Sequence, residues 1–249
     1  MEKLGRLNQM QFIHTETSEA LFTAAADLFT RLAIEAIRDR GRFNVALSGG
    51  STPKKLYSLL AGEGYRTKID WAKVHFFFGD ERFVAPDHSE SNFRMANDAL
   101  FCRIPVPEAN IHRFRTETGD PQAVAAEMNL SIAKHFELNE DEIPCFDLIL
   151  LGLGTDGHIA SLFPETSALE EDSAFAVSNF VPKFDAFRLT LTFPVINHAR
   201  NVVFLISGED KKDIFREVFG SKSVGRFPAQ HVRLISGELI VLTDLVKQT

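Results

Sequence analysis

Three short stretches of this 249-residue sequence combine glycines with side chains that can hold anions or move protons. The first is Ser48-Gly49-Gly50-Ser51-Thr52-Pro53. Two adjacent glycines let backbone N–H groups approach a ligand closely, and a helix start behind them favours negative charge. The second is Gly79-Asp80-Glu81-Arg82, in which a guanidinium can grip a phosphate through two parallel hydrogen bonds. The third is Gly152-Leu153-Gly154-Thr155-Asp156-Gly157-His158, where an imidazole stands beside a carboxylate, the pairing suited to proton transfer near neutral pH. Together they describe a site for an anionic substrate with general acid–base chemistry.

Each stretch also has a plainer reading. Thr52 can serve only as a helix cap ahead of Pro53. Asp80, Glu81 and Arg82 can form a local ion pair, and the residues alone do not say whether Asp156 touches His158. The first loop lacks the GxxxxGK[ST] pattern of a nucleotide P-loop. Gly152–Gly157 does match GxGxxG, but Pro164 cuts short the helix that a dinucleotide site needs. The next β-like run, Phe175–Ser178, leads to Asn179 rather than to an acidic residue.

What positions these stretches is an alternation of short β-type runs with longer helical patterns, the signature of a parallel α/β sheet. Leu21, Ala25, Leu28 and Leu32 recur at helical spacing within a helix predicted from Ser18 to Arg40, with Gly41 as its stop. Strands are predicted at Phe43–Leu47, Val74–Phe78 and Phe146–Leu151, and each runs straight into one of the three loops. In open α/β sheets ligands collect at the carboxyl ends of strands, so three such loops define one expected site. Further strands are expected near Leu189–Thr192, Val202–Ile206 and Leu239–Leu242, and helices near Gln122–Glu137 and Asp210–Phe219. No repeat or linker interrupts the pattern, which predicts one domain over residues 1–249.

The composition is that of a globular protein, 45% hydrophobic and 24% charged, with 23 Phe against 2 Tyr, an excess read as core filling. The net charge of −7 disfavours non-specific binding to nucleic acid or anionic membrane, so an anionic substrate requires a local cluster of cations. Cys102 and Cys145 lack metal-type spacing and fit a reducing compartment. The opening MEKLGRLNQMQF has no signal-peptide core, and no apolar run is long enough to span a bilayer. A cytoplasmic, soluble protein is the expectation. Nothing in the pattern specifies an oligomer, and a monomer is compatible with it.

Taken in order, NVALSGGSTPKKLY (44–57), FFFGDERFVAPDHSESN (76–92) and FDLILLGLGTDGHIASLFP (146–164) resemble the 6-phosphogluconolactonases. RLTLT (188–192), LISGEDK (205–211) and FPAQ (227–230) carry the resemblance toward the C-terminus. The resemblance implies a single Rossmann-like α/β domain with helices on both faces of a mostly parallel sheet, and no metal or organic cofactor. It implies hydrolysis of 6-phospho-D-glucono-1,5-lactone to 6-phosphogluconate in the oxidative pentose phosphate pathway. By the same resemblance His158 is the general base. Arg82 and Arg188 hold phosphate, Gly49, Gly50 and Ser51 supply loop contacts, and Lys211 is a further phosphate candidate. Asp80 and Asn92 shape the site and position the sugar or the histidine, with Asp80 and Asp156 both candidates to orient His158.

Two other families share parts of this pattern. Glucosamine-6-phosphate deaminases share the glycine loop and the DGH segment, but continue with Phe-Asn-Glu-Pro. Here Ser161-Leu162-Phe163-Pro164 places Phe163 where that glutamate stands, and Glu165 falls after the proline. A non-catalytic sugar-phosphate sensor is the other, and about 17 residues ahead of the first predicted helix are too few for a helix-turn-helix module.

Overall fold

The computed structural model describes residues 10–220 and 225–245. Residues 1–9, most of the opening MEKLGRLNQMQF, lie outside them. Its elements in chain order are β1 (Gln11–His14), α1 (Ser18–Arg40), β2 (Phe43–Leu47), α2 (Ser51–Leu60), α3 (Glu63–Arg66), β3 (Val74–Phe78) and β4 (Asp80–Arg82). There follow α4 (Asn92–Ala99), β5 (Ile111–His112), α5 (Pro121–Phe136), β6 (Leu148–Leu151), β7 (Ala176–Val181) and β8 (Ala186–Leu191). The last are α6 (Phe193–His198), β9 (Asn201–Ile206), α7 (Lys212–Gly220) and β10 (Glu238–Thr243).

Local chemistry sets these boundaries. Thr17 caps α1 by accepting from the Ala20 N–H, and Gly41 ends it in the left-handed conformation at φ 78°. Asp120 caps α5 and Pro121 opens it, where a missing N–H costs nothing. In α1 the periodic residues Leu21, Ala25, Leu28 and Leu32 are buried.

Seven strands form a sheet in the order β1-β10-β9-β6-β2-β3-β5, and every neighbouring pair is parallel. Every residue of β2 and β6 is buried, so both faces of the sheet centre are covered, as a parallel sheet requires. Phe29, Phe43, Phe76, Phe77, Phe146 and Phe204 are among the largest fully buried side chains, which accounts for the phenylalanine excess. They pack edge-on in places, as Phe29 does against Phe43 with centroids 5.4 Å apart.

From β2 the chain moves outward one way, to β3 and β5; from β6 it moves the other way, to β9 and β10. The reversal lies between β2 and β6, which is where a crevice opens at the carboxyl ends of the strands.

The run expected at Leu189–Thr192 lies not in this sheet but in a separate antiparallel one, β4-β8-β7. Gly79 joins the two. Its N–H donates to Leu47 O of β2 and its carbonyl accepts from Leu191 N of β8, both at 2.8 Å. No described helix is long and apolar enough to cross a membrane.

Candidate active site

A cavity of about 340 Å³ opens over the ends of β2, β3 and β6, within the range of small-ligand sites. Gly49, Gly50, Asp80, Arg82, His158, Arg188 and Lys211 all line it. Ser51 does not; it lines an adjoining recess of about 150 Å³ with Gly50 and Lys211. Asn92 is buried behind the wall, its Nδ2 donating to the Asp80 carbonyl at 2.9 Å and the Asp80 carboxylate at 3.2 Å.

The glycine loop is held from below. The buried Tyr57 hydroxyl accepts from the Ser48 N–H at 3.0 Å and donates to the Ser48 carbonyl at 2.8 Å. Gly49 is demanded by space, because a Cβ there would stand 2.0 Å from Asn92 Oδ1. Gly50 occupies the cap position of α2 at φ 104° and offers no side chain, while Thr52 lies inside the first turn rather than capping it. The leading N–H groups of α2 are therefore not taken by a capping side chain.

His158 Nδ1 makes a short hydrogen bond with Asp156 Oδ1, and Asp156 Oδ2 accepts from Lys183 Nζ at 2.9 Å. The bond from His158, with help from Lys183, holds the Asp156 carboxyl far below the usual carboxylate range. An ionised Asp156 makes Nδ1 the protonated nitrogen and leaves the lone pair on Nε2. Phe163 stacks on the imidazole with centroids 4.0 Å apart, and a Cβ on Gly154 would come within 2.0 Å of Nδ1. The ring is thus fixed by a carboxylate at one nitrogen, by an aromatic face, and by a backbone that only glycine permits. Asp80, the other candidate to orient it, instead accepts from Ser161 Oγ at 2.7 Å and from Asn92.

Arg82 and Arg188 stand opposite each other in the β4–β8 pairing. Neither has an ion-pair partner among the described residues; Arg82 Nη1 donates to the Glu90 carbonyl at 2.6 Å, and Arg188 lies over the Phe184 ring at 5.2 Å. Burial, and then the neighbouring Arg82, push the Arg188 guanidinium below its ordinary pKa. Two adjacent cations with no ion-pair partner among the described residues are a place for a dianion.

Glu81 does not pair with Arg82. It is buried, and its carboxylate accepts from the N–H groups of Arg82, Asn92 and Phe93, fastening the start of α4. Burial raises its pKa against those hydrogen bonds.

Four cations, Arg82, Lys183, Arg188 and Lys211, line the cavity against one carboxylate, Asp80, and so reverse the acidic average of the chain locally. Lys183 and Phe163 are the contributors that residue type did not single out. Lys183 precedes the RLTLT strand with no motif of its own, and its contact with Asp156 depends on how the small sheet sits.

The chain matches the family described as glucosamine-6-phosphate isomerases/6-phosphogluconolactonase over residues 16–241. It belongs to that family. A 6-phosphogluconolactonase of Synechocystis sp. is 43% identical over 228 residues, covering 91% of this chain and 92% of the relative. One from Chlamydia pneumoniae is 40% identical over 217 residues, covering 83% and 80%. Among solved structures, the 6-phosphogluconolactonase from Trypanosoma cruzi superposes with a TM-score of 0.84 at 30% identity, covering 96% of this chain and 95% of that one. A monomeric glucosamine-6-phosphate deaminase, at 20% identity and TM-score 0.76, shares the fold.

Proposed function

We propose that this chain hydrolyses 6-phospho-D-glucono-1,5-lactone to 6-phospho-D-gluconate, the lactone-opening step of the oxidative pentose phosphate pathway. The observation that carries the reading is His158, hydrogen-bonded to Asp156, sharing one cavity with Arg82 and Arg188, guanidiniums that have no ion-pair partner among the described residues. The family's lactonases, similar along most of this chain, support the choice of substrate.

A lactone is an activated ester, so no covalent nucleophile is required. Arg82 and Arg188 hold the phosphate, with Lys211 and the N–H groups of the glycine loop beside it. His158 Nε2 takes a proton from water as the water attacks C1. Asp156 stabilises the resulting imidazolium, and Lys183 holds Asp156 in place. When the tetrahedral intermediate collapses, the same nitrogen returns the proton to the departing ring oxygen. Asp80 acts on the cavity wall, fixed by Ser161 and Asn92.

Phe163, stacked on His158, argues against the deaminase reading, because an apolar ring stands where ring-opening chemistry would want a carboxylate. The test is the decay of freshly generated lactone with and without protein. Acceleration confined to the phosphorylated lactone supports the proposal, and decay at the spontaneous rate with folded protein refutes it.

A further inference from the structure

Three histidines outside the active site come together where α5 ends against the edge of the large sheet. His75 lies near the start of β3, His112 on β5 and His135 in the last turn of α5. One ring nitrogen from each lies within 4.8 Å of those of the other two. All three are partly buried. His75 Nδ1 and His112 Nε2 face each other at 3.5 Å, too long for a good hydrogen bond. Asn44 Oδ1 lies 2.8 Å from His135 Nε2 and anchors that ring. Phe77 stacks on His112 at 4.2 Å and holds the second.

We propose that His75, His112 and His135 form a binding site for one late first-row divalent transition-metal ion, of which zinc is the representative. A tetrahedral ion at about 2.0–2.1 Å from each nitrogen needs its ligands a little over 3 Å apart, which small ring rotations from this arrangement provide. Three neutral imidazoles without a carboxylate select ions that prefer nitrogen and reject magnesium and calcium. Three protein ligands leave a fourth position for water.

Burial first, and then the neighbouring histidines, keep His112 at about 4 and His135 at about 3. Burial, with Arg42, lowers His75 as well. At neutral pH the rings are uncharged, so a metal displaces no protons. The simpler account, three rings packed as aromatic filler, leaves unexplained why imidazoles rather than phenylalanines gather in a core built of phenylalanine.

The site stands at the opposite end of β3 from Asp80, roughly 15 Å away along the strand. It is therefore structural in effect and separate from the lactone chemistry.

The test is calorimetric titration of the untagged, chelator-treated chain with zinc chloride at neutral pH, with lactone hydrolysis read in parallel. One ion per chain is expected. His112→Gln should weaken binding about 100-fold or more, beyond what losing an outer partner costs, and retain hydrolysis. His158→Ala, which breaks up the histidine–carboxylate pair of the active site, should leave the titration unchanged. No binding by the folded wild-type chain, unchanged binding in His112→Gln, or loss of binding in His158→Ala would each overturn the proposal. X-ray absorption on the wild-type zinc complex decides the matter if His112→Gln does not fold. Three imidazole nitrogens at about 2.0 Å support the site, and a shell with fewer overturns it.

Discussion

Replacing Arg188 by alanine separates two consequences that usually travel together. A guanidinium binding phosphate contributes two charge-assisted hydrogen bonds, each about 1.5–3 kcal/mol when one partner is ionised. Arg188 is only half-buried and Arg82 remains opposite it to hold the phosphate, so the net loss falls to or below the bottom of the summed range, about 2–3 kcal/mol in all. The value of kcat/KM on the phosphorylated lactone should fall about 30- to 150-fold. The rate on the unphosphorylated lactone should not change. Stability should move the other way. Burial and Arg82 both disfavour the charged form of Arg188, so in the absence of phosphate this cation is a cost to the fold. Removing it should leave the melting temperature unchanged or slightly higher, within about 0.5 kcal/mol. Arg188→Lys should recover only part of the activity, since an ammonium lacks the planar fork. The assays are lactone decay on both substrates and thermal unfolding without phosphate. Equal losses on the two substrates, or a melting temperature lower by several degrees, would refute the reasoning and make Arg188 a structural residue.

His158→Ala should keep the fold and phosphate binding while turnover falls about 10²- to 10⁴-fold, checked by circular dichroism and lactone decay. Asp156→Asn should lower kcat about 10- to 100-fold with KM nearly unchanged, because the amide holds the ring without stabilising the imidazolium; steady-state kinetics read the split, and a change confined to KM counts against this role. A metal-free chain should lose stability as pH falls below about 6.5, because the unfolded chain then binds protons that the partly buried His112 refuses until about 4. His112→Gln should flatten that limb by about 1 kcal/mol once its partial exposure is allowed for, as denaturant titrations at pH 7 and pH 4.5 will measure.

Much of the frame was readable because its rules are local. Gly41, Pro121 and the leucine period mark helix limits through backbone conformation and burial. Mostly apolar runs give away β2, β3 and β6, broken only by Asn44 in β2 and His75 in β3, since strands largely buried on both faces have little polar side to show. The loops that follow were visible for a related reason: glycines such as Gly49 and Gly154 are there because a neighbouring side chain fills the space of a Cβ.

What was hidden depends on partners distant in sequence. RLTLT reads as a strand, but alternation reports a face and not a neighbour, so its place beside β4 in a second sheet could not be seen. Glu81 looked like a partner for Arg82 until the backbone N–H groups of α4 claimed it. β1 and β5, with four and two residues, are too short to carry a period. Lys183 became part of the site only through the fold of the hairpin between β7 and β8.

The junction at Gly79 has a bearing on which substrates fit. His158 follows a strand of the large sheet and the two arginines belong to the small one, and the two parts are fastened at Gly79, at the Lys183–Asp156 ion pair and by Ser161, which bonds to Asp80, Asn179 and Thr190. With these fixings the gap between His158 and the arginines is a set length, so under the proposed mechanism the site works as a gauge. On the proposed mechanism, a sugar lactone one carbon shorter is expected to satisfy the arginines or reach His158, but not both at once, and its kcat/KM should fall accordingly.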